Sequence, residues 1–120
     1  MEKIIEKILN LDGVKGVWFI EGEKIIERLI LPLDPETSRR LKRIFSRLFL
    51  FFQERNIKKE IGVVFKHDYL FFKPTNMGWF TIWIKRETET SLALLRMEIE
   101  VILSEINKQK WSLLKKFKFW

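Results

Sequence analysis

Between residues 34 and 55 apolar side chains recur at intervals of three and four, the spacing of one face of an α-helix. Leu41, Ile44, Phe45, Leu48 and Phe52 form the stripe, and Phe49 and Phe51 stand on its two shoulders. At about 100° per residue the shoulders are roughly 160° apart, wider than the ~100° that one core face requires. The band has apolar surface to spare, which predicts a core contact plus a contact with a second subunit. Asp34 reads as the N-cap, because its carboxylate can accept an orphan backbone N–H, and Pro35 suits the first helical position, where no N–H is needed. The opposite face carries Arg39, Arg43, Arg47 and Leu50 at successive turns, with Arg40 beside them. Like charges four residues apart weaken an isolated helix. This row therefore does not serve the helix, and it reads as a surface offered to something acidic.

The same reading extends along the chain. Ile4, Ile5, Ile8 and Leu9 share one side of a short helix that stops at Gly13. Residues 14–21 form a strand whose Val17-Trp18-Phe19-Ile20 run is too continuously apolar for a solvated face, so it should be covered on both sides. Glu21-Gly22-Glu23 is a hairpin turn, and residues 24–31 return. Beyond the long helix, strands are expected at 60–66, 69–73 and 79–85, separated by a His67-Asp68 turn and by Asn76-Met77-Gly78. Thr88 or Thr90 should cap a last helix with Leu92, Leu95, Ile99, Ile102 and Ile106 inward. The order is α-β-β-α-β-β-β-α, an α+β fold without internal repeats.

Composition narrows the class. A chain of 120 residues with 47% hydrophobic content is one folded domain. It contains no cysteine, which excludes disulfides, thiolate metal sites and a cysteine nucleophile. No apolar run approaches the ~20 residues of a membrane span, and the chain opens without a signal-peptide pattern, so a cytoplasmic location is expected. The net charge of +7 is localised. Residues 36–60 hold eight Arg/Lys against three acids, and residues 108–120 hold five Lys against none.

Three local patterns, with the element order, give the sequence a resemblance. Leu11-Asp12-Gly13-Val14-Lys15-Gly16-Val17 is similar to the glycine-valine entry to strand one of the Roadblock/LC7 family. The Glu21-Gly22-Glu23 hairpin is the second pattern, and Ser91-Leu92-Ala93-Leu94-Leu95-Arg96-Met97-Glu98 resembles the family's opening of the last helix, with Ala93 where glycine is frequent. The resemblance covers residues 1–108 and leaves 109–120 as a basic aromatic tail. It implies a five-stranded antiparallel sheet with the second helix on one face and the first and third on the other. It also implies a homodimer joined through the third strands, and a role as a scaffold or regulator of small Ras-like GTPases. Phe49, Phe52, Ile61, Val63 and Phe65 are the expected dimer interface; Arg39, Arg40, Arg43, Arg47 and Leu50 are the expected partner-binding face.

No catalytic constellation accompanies these features. Walker, GxGxxG, HExxH and GxSxG patterns are missing, and His67, the one histidine, falls in a turn. A non-enzymatic protein without cofactor or metal is expected. The arginine row has three readings: a solvated face, a partner-binding face, or a nucleic-acid face. The last is disfavoured because no aromatics interleave the basic residues and no nucleic-acid-binding signature is present. The tail, with Trp111, Leu114, Phe117 and Trp120 among its lysines, suits either docking on the body, an anionic membrane surface or a partner. Docking is expected, since four large aromatics left in water would make an unusually apolar terminus.

Overall fold

The computed structural model describes residues 1–86 and 91–116, the side chains of 107–116 aside. Its elements are α1 (Glu2–Leu9), β1 (Val14–Glu21), β2 (Lys24–Leu29), α2 (Pro35–Glu54), β3 (Ile61–Val64), β4 (Asp68–Pro74), β5 (Trp79–Lys85) and α3 (Leu92–Lys116). The five strands make one antiparallel sheet in the order β2-β1-β5-β4-β3, so β3 and β2 are its edges.

The sheet has two covered faces, as the apolar alternation in β1 and β5 requires. On one, Ile4, Ile5 and Ile8 of α1 and Leu95, Ile99, Leu103 and Ile106 of α3 pack on Val17, Phe19, Phe71, Phe80, Ile82 and Ile84. On the other, Phe45, Phe49 and Phe52 of α2 pack on Trp18, Ile20, Phe72 and Trp79. The second cluster is almost wholly aromatic. Phe45 meets Trp18 edge-on at 4.9 Å between ring centroids, and Phe52 lies between Phe72 and Trp79 at 5.8 and 4.9 Å. Edge-to-face rings of this kind add to the area they bury.

Local chemistry sets the element ends. Asp34 accepts the Thr37 N–H at 3.0 Å and the Thr37 hydroxyl at 2.6 Å, closing the N-terminus of α2. The Thr37 hydroxyl, followed by its backbone N–H, holds the Asp34 carboxyl below the ordinary aspartate range. Gly13 (φ 90°) and Gly22 (φ 61°) take the left-handed conformations that end α1 and turn the first hairpin.

Four boundaries differ from the sequence expectation, β4 running over Asp68–Pro74 where 69–73 is expected. β2 stops at Leu29, and Ile30 and Leu31 are exposed. β3 is four residues, because Phe65 donates its N–H to the Asp68 carbonyl at 2.8 Å and so already belongs to the turn. Thr88 and Thr90 lie outside the described residues; the Ser91 hydroxyl accepts the Leu94 N–H at 3.2 Å and starts α3. Leu103 also joins the inner stripe of that helix.

Candidate partner-binding site

The geometry of α2 separates three strips. Ser38 donates its hydroxyl to Glu27 of β2 at 2.6 Å, so that flank faces the β2 edge. Leu41 and Phe45 share a cavity of about 270 Å³ with Phe65, Leu70, Trp18 and Trp83, so the other flank faces β3 and β4. Ile44 and Phe51 continue this second flank outward, at 50% and 45% exposure. The third strip is the solvent face, where Arg39, Arg40, Arg43, Arg47 and Leu50 are all exposed. Arg40 is held by Glu36 at 2.8 Å across one turn. Arg39, Arg43 and Arg47 make no ion pair or hydrogen bond among the described residues. The structure thus presents three unneutralised guanidinium groups in one line, about one helical turn apart.

The residues expected at a dimer contact are divided. Phe49 and Phe52 are packed beneath α2 in the protomer's own core, because the sheet consumes the middle of the apolar band. The apolar surface left over is the flank formed by Ile44 and Phe51, with the Arg55 guanidinium 4.9 Å above the Phe51 ring. Ile61 and Val63 are half-buried against the α2 cluster, and Phe65 is 49% exposed at the end of β3. Ile61, Val63 and Phe65 therefore lie on the same side of the molecule as Ile44 and Phe51. His67 sits at the hairpin tip, its carbonyl accepting the Arg86 N–H at 2.8 Å. Trp111, Leu114, Phe117 and Trp120, and with them the expected docking of residues 109–120, lie outside the described side chains.

Sequence reasoning missed one polar cluster. Lys73, buried on the α3 side of the sheet, donates to Glu60 at 3.3 Å and pairs with Glu100. Arg96 reaches the same Glu60 oxygen at 3.0 Å and lies over the Phe71 ring at 5.6 Å. Burial alone would push the Glu60 carboxyl up, but the Arg96 hydrogen bond and the Lys73 charge outweigh it and hold the group below the ordinary glutamate value. One signal was present: a lysine directly after Tyr69-Leu70-Phe71-Phe72 in a strand covered on both faces must find counter-charges.

Comparison with solved structures agrees with the architecture. A Roadblock/LC7 domain from Streptomyces avermitilis superposes with a TM-score of 0.65 at 12% identity, over 92% of this chain and 98% of that one. MglB of Myxococcus xanthus superposes with a TM-score of 0.64 at 15% identity, over 92% of this chain and 90% of that one. The chain has the Roadblock/LC7 fold. No family model and no curated sequence matches it.

Proposed function

We propose that the chain is a non-enzymatic, homodimeric scaffold or regulator of a small Ras-like GTPase, which it meets through the exposed face of α2. The fold supports the class, and the observation that carries the site is the unneutralised line of Arg39, Arg43 and Arg47. Among the described residues no side chain pairs with these three charges. An acidic partner surface supplies what they lack, and such charges act mainly through association rate and specificity.

The test is a titration of purified small Ras-like GTPase, loaded with GDP or a GTP analogue, against the wild-type chain and the variant Arg39→Glu/Arg43→Glu/Arg47→Glu. The variant is expected to bind at least roughly tenfold more weakly. The single change Arg43→Glu should leave the melting temperature nearly unchanged, since an exposed charge alters stability by no more than about 0.5 kcal/mol. A large loss of stability in Arg43→Glu would show that the row is structural. If neither nucleotide state binds, while anionic vesicles or nucleic acid bind and the reversals abolish that binding, the row serves a different partner.

A further inference from the structure

We infer that the cavity enclosed by the end of α2, the β4–β5 turn and α3 is a binding site for a small organic dicarboxylate, one carboxylate of which takes the place of Glu100 on Lys73. It shares no residue with the arginine row of α2. The cavity measures about 520 Å³, within the range of small-molecule sites. Asn56, at φ 53°, takes the left-handed conformation that ends α2, and the Ile57 N–H on the Phe52 carbonyl at 2.8 Å turns the chain so that residues 56–58 form one wall. Thr75 donates its hydroxyl to the Gly78 carbonyl at 2.8 Å and closes the β4–β5 turn, which forms another. Local hydrogen bonds thus fix both walls.

The third wall is α3, and there the cavity is closed by an ion pair. Lys73 is buried, and a buried ammonium must have anions beside it. Of its two, Glu60 is largely enclosed and shared with Arg96, whereas Glu100 is 62% exposed and has no other partner among the described residues. An exposed glutamate held by one contact gains little, because ordering its side chain offsets most of the attraction. Glu100 is therefore a counter-ion that a better-held carboxylate can replace. Lys73 and Glu100 also line a neighbouring cavity of about 540 Å³ beside Arg96 and Met97, so the pair is a partition that opens when Glu100 turns outward to solvent.

The rest of the lining selects the class of ligand. With Glu100 withdrawn, the charged residues that line the two cavities are Lys58, Lys73 and Arg96 against Glu60, three cations to one anion. That excess matches a dianion. Lys58 and Gln53 line the first cavity, are exposed, and have no side-chain partner among the described residues, so they are uncommitted donors for the second carboxylate. Ile57, Trp79 and Leu103 add apolar surface to the same cavity, which suits a carbon skeleton between two carboxylates better than a bare inorganic anion.

Glutarate is the probe, and glutaramide, its uncharged diamide of similar shape, is the control. By isothermal titration at low salt the full-length chain should bind glutarate at a single site, and glutaramide and inorganic phosphate at least roughly tenfold more weakly. Glu100→Gln should bind glutarate about tenfold more tightly, since a contact that occupies Lys73 about nine-tenths of the time lowers the apparent affinity by that factor. Lys73→Met should abolish binding, and the exposed change Lys58→Gln should weaken it severalfold. Lys24→Gln, which removes the same charge from the start of β2, should not. A Glu100→Gln variant that binds no more tightly than wild type overturns the proposal, because Glu100 is then no internal competitor. Glutaramide or phosphate binding as tightly as glutarate overturns it too, as does a folded Lys73→Met variant that still binds. Equal weakening by Lys24→Gln and Lys58→Gln would reduce the effect to net charge, and no binding in either wild type or Glu100→Gln would leave no site.

Discussion

Replacing Phe45 by alanine is expected to destabilise the folded chain by about 3–5 kcal/mol, the usual range for an aromatic removed from a core. Phe45 is 3% exposed and holds Trp18 at 4.9 Å and Phe72 at 5.9 Å, so its loss unpacks both rings that seat α2 on the sheet. Phe45 lines the cavity of about 270 Å³, so the void its removal leaves joins space that is already unfilled. Leu50→Ala on the opposite face should change stability by no more than about 0.5 kcal/mol. Chemical denaturation of the two variants measures this directly. A Phe45→Ala loss below about 1 kcal/mol would mean that α2 is not seated by this cluster, and that the arginine row is not rigidly presented.

That contrast reflects how the sequence encodes α2. The start of the helix was legible because Asp34 and Pro35 act locally, through one carboxylate and one missing N–H. The bounds of β1 and β5 were legible because continuous apolar runs admit only a covered strand. The division of the apolar band was not. Periodicity shows that Ile44, Phe45, Phe49, Phe51 and Phe52 share one broad side, but the sheet chooses which of them it covers, and it covers Phe45, Phe49 and Phe52. The start of α3 was ambiguous for another reason: Thr88, Thr90 and Ser91 all carry capping hydroxyls, and the first turn decides among such neighbours. The arginine face was legible as a pattern and the structure adds the absence of described partners for Arg39, Arg43 and Arg47. The need of Lys73 for counter-charges was legible but its partners were not, because Glu60, Arg96 and Glu100 are brought to Lys73 only by the packing of α3 beside β3 and β4.

The same cluster gives the second large effect. Lys73 has a side chain only 8% exposed, and its ammonium is held by Glu60 and Glu100. Removing either acid leaves one counter-charge. Glu100→Ala is expected to be the milder change, because that side chain is largely in solvent and the Glu60 contact survives. The double variant Glu60→Ala/Glu100→Ala leaves a buried ammonium without an anion, which costs about 3–5 kcal/mol. Adding Lys73→Met should recover most of that loss, since a methionine of similar length fills the space with no charge to compensate. The pH dependence carries a definite sign. The folded-state value of Glu60 is depressed, so its contribution is fully present above the ordinary glutamate range and is lost as pH falls through that lowered value. The stability gap between wild type and the triple variant should therefore be flat from neutral pH down to the ordinary glutamate range and shrink only below it. Failure of Lys73→Met to rescue the double variant would show that the cost lies in lost packing around Glu60 and Glu100, not in the uncompensated charge.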